Sequence, residues 1–216
     1  TSEKRVSVNN KDMPVRIDNN AELASVASDG IGTETDPYII EDYNIDGTGF
    51  GYCIYIGNTT EHFLVRNNNL TNASGNSNQY FRNTGLYLHN VSNGSIENIN
   101  ASDNEERGFL IESSRDTIIE NSIVHGSRYG FELTDSTYNT IRSNYISQNY
   151  ERGITIDAIS SNNTVKGNTI DSNREVGIYM EGSYNTVESN HLTNHPYYGG
   201  IYLRYSNNNT IRDNNA

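Results

Sequence analysis

The sequence is poor in cysteine, in apolar residues and in long hydrophobic runs. Cys53 is the only cysteine, so no internal disulfide bond can form, and the cysteine count does not fix the redox compartment. No apolar run approaches the ~20 residues of a membrane-spanning helix. Only 33% of the 216 residues are hydrophobic. One domain with a thin interior, as in a solenoid, therefore fits the length and composition better than a round globule.

Basic residues are also scarce. The chain has 15 lysines and arginines against 27 aspartates and glutamates, which gives a net charge of -12. This balance argues against nucleic acid and against anionic membranes as partners, because both need a basic surface. Neutral glycans, cations and proteins stay open as partners, whereas a polyanionic sugar would need a local basic strip.

What the sequence does contain is a repeat, in which a glycine is followed by an apolar-any-apolar triplet. The glycines of this repeat are Gly85, Gly108, Gly130, Gly153, Gly177 and Gly200. Their spacing is 23, 22, 23, 24 and 23 residues. Cys53 takes the glycine place in an earlier copy, Cys53-Ile54-Tyr55-Ile56. The longer step from Cys53 to Gly85 predicts an insertion at about residues 73–78.

Asparagines recur later in each repeat. Triplets such as Asn139-Thr140-Ile141 and Asn163-Thr164-Val165 are followed three residues later by a further asparagine. These further asparagines are Asn68, Asn121, Asn144, Asn168, Asn190 and Asn214, and an apolar residue such as Ile123 or Ile146 returns two residues after them. The pattern predicts three short strands per coil, with coils stacked ~4.8 Å apart. Asparagines at one turn would then hydrogen-bond in a ladder along the axis. The predicted fold is an all-β, single-stranded parallel β-helix of about seven coils.

The two ends of the chain differ. Residues 20–27 predict a short helix, with Asn19 or Asn20 as N-cap and Gly30 beyond its end, which would cap the N-terminal mouth. We therefore expect an N-terminal strand and capping helix in residues 1–30 and the β-helix in residues 31–216. The chain stops at Ala216 in mid-coil, without a visible cap. The expectation is that the native protein continues into further segments or associates with a second chain at this end.

The repeat resembles that of a known group. The pattern between Gly130 and Asn149, and the lead-in from Gly32 to Ile40, are similar to the parallel β-helix repeats of carbohydrate-binding and sugar-hydrolase proteins. That group includes the copper-maturation protein of nitrous oxide reductase and many archaeal and bacterial surface proteins. The resemblance implies a right-handed, pectate-lyase-like solenoid. It also implies a place outside the cytoplasm, at the cell surface or in the periplasm.

Two columns of side chains should point outward from the triplet strand, where the resemblance places the cleft. With the glycine as position zero, the column at position two reads Tyr55, Tyr87, Leu110, Glu132, Thr155, Tyr179 and Tyr202. The column at position four reads Gly57, His89, Glu112, Thr134, Asp157, Glu181 and Arg204. Tyrosine rings are suited to stacking on sugars. We therefore predict ligand contacts at Tyr55, Tyr87, Tyr179 and Tyr202, with Arg128 and Arg152 beside them.

Four acids on this face are candidates for catalysis: Glu112, Glu132, Asp157 and Glu181. Glu132 and Asp157 would lie about 8 Å apart, within the ~6.5–9.5 Å of an inverting glycosidase. Asp157 and Glu181 would lie about 5 Å apart, which suits a Ca²⁺ ion, the one cofactor that the pattern suggests. The alternative is a solvated acidic face. Arginines precede successive glycines and are expected to pair with neighbouring acids: Arg107, Arg128, Arg152 and Arg174 with Glu106, Glu151 and Glu175.

The sequence lacks the catalytic signatures of related enzymes. It has no Asn-Thr-Asp, Asp-Asp and Gly-His-Gly set of polygalacturonase-like hydrolases, and no Asp-Pro-His-Glu of alginate epimerases. The leading hypothesis is therefore a surface β-helix that binds oligo- or polysaccharide or serves as envelope architecture, without catalysis. One alternative is a polysaccharide hydrolase or lyase that uses the four acids. A second is a copper-handling periplasmic protein that uses His191, His195 and Met180, as the resemblance suggests.

Overall fold

A computed structural model describes residues 11–75 and 82–216, which form one helix and 23 short strands. The helix is α1 (Asn20–Val26). The strands are β1 (Val15–Ile17), β2 (Tyr38–Glu41), β3 (Asn44–Thr48), β4 (Tyr52–Thr59), β5 (Phe63–Arg66), β6 (Asn69–Ser74), β7 (Thr84–Val91), β8 (Gly94–Glu97), β9 (Asn100–Ser102), β10 (Arg107–Glu112), β11 (Ile118–Glu120), β12 (Ile123–His125), β13 (Tyr129–Thr134), β14 (Thr140–Arg142), β15 (Tyr145–Ser147), β16 (Arg152–Ile156), β17 (Thr164–Lys166), β18 (Thr169–Asp171), β19 (Val176–Met180), β20 (Thr186–Glu188), β21 (His191–Thr193), β22 (Ile201–Leu203) and β23 (Thr210–Arg212).

The strands form three parallel sheets, and each coil contributes one strand to each sheet. The first sheet has the order β1-β4-β7-β10-β13-β16-β19-β22. The second has the order β2-β5-β8-β11-β14-β17-β20-β23, and the third runs from β3 to β21 in steps of three. Every paired strand runs parallel to its neighbour one coil away. This is the all-β parallel solenoid of about seven coils that the repeat predicts.

The interior is one continuous apolar column. Positions one and three of the triplet point inward, as the alternation predicts: Ile154 and Ile156 in β16 are fully buried. Equivalent residues stack from coil to coil, so that the rings of Phe109 and Phe131 lie parallel with centroids 4.7 Å apart. Each coil thus needs only a few large apolar side chains, which explains the low hydrophobic content.

The recurrent glycine is required by close packing between coils. A Cβ atom on Gly153 would lie 2.6 Å from the carbonyl oxygen of Gly177 and 2.8 Å from a methyl group of Ile170. Cys53 takes this place in an early coil because the third sheet there offers the small residues Gly47 and Ala73. Its side chain is buried, and burial raises the pKa of the thiol to about 12.

Asparagine side chains hydrogen-bond from coil to coil at the turns. Asn144 Nδ2 donates to Asn168 Oδ1 over 3.1 Å, and Asn168 Nδ2 donates to Asn190 Oδ1 over 3.0 Å. Each Oδ1 also accepts the backbone N–H of the preceding coil, as between Asn144 N and Asn168 Oδ1. The buried amides of these asparagines therefore find hydrogen-bond partners within the protein.

One coil departs from the predicted register by one residue. Ser122, and not Asn121, takes the asparagine place, since its backbone N–H donates to Asn144 Oδ1. Val124 is consequently fully buried, whereas Ile123 is 48% exposed. The sequence interpretation was wrong here because a serine replaces the amide while an asparagine happens to precede it.

Helix α1 covers the start of the coils. Asn19 is its N-cap, with the side chain accepting the Glu22 N–H over 3.0 Å, and Leu23 is buried in the core. The helix packs against β1, β2 and β4. Residues 1–10 of the predicted N-terminal segment, and residues 76–78 of the predicted insertion, lie outside the described residues. No helix in the described part of the chain is long and apolar enough to cross a membrane.

Candidate functional site

The outer face of the first sheet is covered by its own side chains near the N-terminal end. Tyr55, Tyr87 and Leu110 form a small apolar cluster separate from the core, with Tyr52 packed against it. The rings of Tyr55 and Tyr87 meet edge to face, with centroids 5.1 Å apart. Tyr55 is 8% exposed and Tyr87 is 4% exposed, so neighbouring side chains already occupy the ring faces predicted to contact a ligand.

Glu112 is held by three neighbours on this face. Tyr87 Oη donates to its carboxylate, Arg82 Nη2 lies 2.9 Å from Oε1, and His89 Nδ1 lies 3.1 Å from Oε2. Burial, followed by the hydrogen bond to Glu112, raises the pKa of Tyr87. These contacts give the Glu112 carboxylate a structural role on this face.

The other three predicted acids are also engaged. Arg107 Nε donates to the Glu132 carboxylate. Asp157 Oδ1 accepts the Ser160 backbone N–H over 2.9 Å and so closes the turn after β16.

Glu181 Oε1 accepts the Tyr179 hydroxyl over 2.7 Å. The pairing of Glu132 with Thr155 keeps Glu132 and Asp157 one coil and two residues apart. Among residues 11–75 and 82–216 no cluster of three or more His, Cys, Asp or Glu side chains lies close enough to hold a metal ion.

The predicted copper ligands have other contacts. The His195 ring nitrogens lie 3.1 Å from the Asn173 carbonyl and 3.2 Å from the Ile170 carbonyl. His191 Nδ1 lies 3.0 Å from Asn215 Nδ2, and Met180 is buried in the core.

Three of the four arginines before the glycines pair with acids of neighbouring coils, and Arg107 does so through Glu132. The pairing predicted for Arg174 is wrong, since no ion pair joins its side chain to the described residues. Arg128 lies 2.7 Å from Glu151 and 3.3 Å from Glu106, and Arg152 lies 3.4 Å from Glu175. The Arg128 guanidinium also lies 5.1 Å from the centroid of the Tyr129 ring. A local basic strip therefore exists, but much of its charge is neutralised by these acids.

A groove of about 600 Å³ runs along this corner, where the chain passes from the third sheet to the first. Its lining residues are Glu105, Arg128, Tyr150, Glu151, Arg174, Glu175, Tyr197 and Tyr198. They stand two and three residues before the glycines of five successive coils. Stacking of the coils therefore places them in two adjacent columns, and the groove is parallel to the solenoid axis.

The groove presents aromatic rings to solvent. Tyr150, Tyr197 and Tyr198 are 63%, 65% and 58% exposed. Arg174 makes no ion pair with the part of the chain that the structure describes. The exposed rings and the available guanidinium distinguish this corner from the covered face of the first sheet.

The groove continues onto the predicted face through tyrosine contacts. The ring of Tyr198 lies 5.3 Å from that of Tyr202, and Tyr202 stacks on Tyr179 at 5.8 Å. The Arg152 guanidinium group lies over the Tyr179 ring, 3.9 Å from its centroid. Two of the predicted ligand contacts, Tyr179 and Tyr202, thus adjoin the groove, whereas Tyr55 and Tyr87 lie away from it in another cluster.

The family follows from a comparison with known proteins. The model of the right handed beta helix region matches residues 52–216. The chain belongs to this family. The right-handed sense that the resemblance implied is thereby confirmed. The search of curated proteins found no match to this sequence.

Solved structures share the fold at low sequence identity. A mutant of the periplasmic alginate epimerase AlgG has a TM-score of 0.67 and 14% identity, over 81% of this chain and 45% of its own. An alginate lyase from Paenibacillus sp. str. FPU-7 has a TM-score of 0.59 and 12% identity, over 94% of this chain and 99% of its own. DFA-IIIase from Arthrobacter chlorophenolicus A6, without its lid, has a TM-score of 0.60 and 13% identity, over 80% of this chain and 47% of its own. The β-helix spans less than half of the epimerase and of DFA-IIIase.

Sequence reasoning missed the tyrosines of the groove. It followed the alternating strand positions, whereas Tyr150, Tyr197 and Tyr198 lie in the turns before them. The usable signal was their constant offset, since Tyr150 and Tyr197 each stand three residues before a repeat glycine.

Proposed function

We propose that the axial groove binds a polysaccharide chain, and that the β-helix acts outside the cytoplasm as a glycan-binding or envelope domain. The observation that carries this proposal is the row of exposed rings formed by Tyr150, Tyr197 and Tyr198. A tyrosine ring combines a flat apolar face with a polar tip, which suits the mixed surface of a sugar. Proteins of the same fold that act on alginate, a polysaccharide, support polysaccharides as the class of ligand.

The charges of the groove favour a neutral glycan. Three carboxylates, those of Glu105, Glu151 and Glu175, line the groove beside two guanidinium groups. Arg128 is paired with Glu151, which leaves Arg174 as a donor for sugar hydroxyls. A strongly acidic polymer would be repelled by these carboxylates and by the net charge of -12.

A glycan array, run with and without Ca²⁺, tests the proposal. The wild type should bind at least one glycan. The double variant Tyr197→Ala/Tyr198→Ala should bind that glycan at least about tenfold more weakly, because its sugar rings lose the aromatic rings on which they stack. The control is Tyr184→Ala, since Tyr184 is 60% exposed and lies outside the groove. Equal loss in both variants, or no bound glycan at all, contradicts the proposal. A requirement for Ca²⁺ would support an ion at Asp157 and Glu181.

A second candidate is polysaccharide cleavage on the adjoining face of the first sheet. It is favoured by the register that keeps Glu132 and Asp157 one coil and two residues apart on the same side of the sheet. Mass spectrometry of any bound glycan after incubation would reveal shortened products. Glu132→Gln and Asp157→Asn should then abolish cleavage, and unchanged product formation in both variants excludes these residues as acid and base.

A further inference from the structure

Three groove residues occupy equivalent positions in successive coils. Arg152 pairs with Val176, and Ile178 pairs with Ile201, so the residues that precede them in the turns are also in register. By this register Tyr150, Arg174 and Tyr197 form one column, with Arg174 in the middle coil. Two coil steps of ~4.8 Å separate the two tyrosines along the axis by about 9.6 Å.

The column alternates in chemistry as well as in position. Tyr150 and Tyr197 are 63% and 65% exposed, so each ring has a face available to a ligand. Arg174 between them is exposed and lacks an ion pair within the described residues. A ligand along the axis therefore meets a ring, then a guanidinium group, then a ring, at intervals of one coil.

A polysaccharide advances by a length close to one coil for each sugar when its chain is fully extended. In an extended, ribbon-like chain such as a β-1,4-linked glycan, successive sugars are turned over, so that alternate sugars present the same face to one side. A chain with a helical course, such as an α-1,4- or β-1,3-linked glucan, rotates its sugar faces progressively. Two rings that stand two coils apart on a straight groove match the first kind of chain.

We infer that the groove selects an extended β-1,4-type glycan that lies along the solenoid axis, with Tyr150 and Tyr197 stacked on alternate sugars. Arg174 donates hydrogen bonds to the hydroxyl groups of the sugar between them. Recognition then requires at least three consecutive sugars. This inference rests on the proposed function, since it names the class of glycan that the groove takes.

Isothermal titration of hexasaccharides that differ in linkage tests the inference. The probes are the β-1,4-linked hexamers of glucose, mannose and N-acetylglucosamine, with the α-1,4- and β-1,3-linked glucose hexamers for comparison. At least one β-1,4-linked hexamer should bind about tenfold or more tightly than both other glucans. Equal or tighter binding of the helical glucans, or no binding of any β-1,4-linked hexamer, overturns the inference.

The preferred β-1,4 series, shortened from six sugars to two, tests the spacing of the two rings. Tyr150→Ala and Tyr197→Ala should each weaken binding of the hexamer about tenfold. The disaccharide contacts only one ring at a time and can use the remaining ring in either single variant. Each single variant should therefore weaken binding of the disaccharide by no more than about twofold, and only the variant lacking both rings should weaken it about tenfold. Affinity that does not depend on length contradicts the alternate stacking.

The outcomes separate the two proposals. If the array glycan is lost in the Tyr197→Ala/Tyr198→Ala variant but no extended chain is preferred, the inference fails and the proposed function stands. If no glycan of any kind binds, both fail. The Tyr184→Ala variant should retain wild-type affinity in each titration, which shows that the losses belong to the groove.

Discussion

The recurrent glycine shows how the stacking of coils determines single residues. A side chain on Gly153 would meet the backbone of Gly177 and the side chain of Ile170 at less than van der Waals distance. The same place holds Cys53 in an early coil, where Gly47 and Ala73 leave room for a thiol. The residue type is therefore set by what the neighbouring coil and the third sheet place opposite it.

Gly153→Ala should lower the free energy of unfolding by about 1–3 kcal/mol, because an overpacked core must shift backbone. Urea denaturation followed by circular dichroism measures the change. Cys53→Ala is the matched control, since it removes an atom at the equivalent place, and it should cost less than Gly153→Ala. A glycine variant as stable as the wild type would contradict the close contact between coils.

Asn168 supports two coils through its side chain. Its Nδ2 donates to Asn190 Oδ1 and to the Ile141 carbonyl, and its Oδ1 accepts from Asn144. Asn168→Ala should therefore cost about 1–2 kcal/mol, as buried partners lose their hydrogen bonds. Asn207→Ala, on an exposed turn, should leave the denaturation midpoint unchanged. Equal midpoints for both variants would show that the buried amides contribute nothing.

Tyr129 makes stability depend on alkaline pH. Burial, followed by its hydrogen bond to Glu151, raises the pKa of Tyr129 from the ordinary tyrosine value of about 10 to about 12. The folded state therefore keeps this proton after the unfolded state has lost it. The stability that Tyr129 contributes is complete below about pH 10 and is lost as the pH rises towards 12. Urea titrations from about pH 9 to about pH 11 should show a shallower decline for Tyr129→Phe. An identical decline would exclude this linkage.

At the scale of single strands, alternation predicts the inward positions well. It succeeds for β16, where Ile154 and Ile156 are buried, because the inner face has one environment along the whole axis. Alternation does not predict which outward side chains are buried by their neighbours. Thr155 and Tyr179 are nearly buried although they point outward, since side chains one coil apart cover one another. The burial of an outward side chain depends on the residue at the equivalent position of the next coil. It cannot be predicted from the alternation within one strand.

Ile156→Asp tests the inward assignment of β16. The substitution places a carboxylate without a partner in the thin core, which is strongly unfavourable. The central coils should unfold, seen as a large fall in melting temperature or loss of the β-sheet circular dichroism signal. Tyr145→Asp, at an outward position of β15 that is 44% exposed, should be tolerated far better. Similar melting curves for Ile156→Asp and the wild type would place Ile156 outside the core.

At the scale of the whole molecule, the groove exists only after the coils have stacked. Tyr150 and Tyr197 are 47 residues apart in the sequence, and each stands in a turn without a strand pattern of its own. The repeat period predicts that the two tyrosines lie in one column, because both precede a repeat glycine by three residues. The exposure of the two tyrosine rings cannot be predicted from the repeat period. It depends on the groove walls, which are formed by acids and arginines from five coils.

The proposed glycan site is the axial groove at the corner where the chain enters the first sheet. A crystal structure of the protein with an oligosaccharide identified on the array tests it most directly. We expect sugar rings along the axis against Tyr150, Tyr197 and Tyr198, with a hydroxyl group within hydrogen-bonding distance of Arg174. Sugar bound over Glu132 and Asp157, or at any other surface, would contradict it.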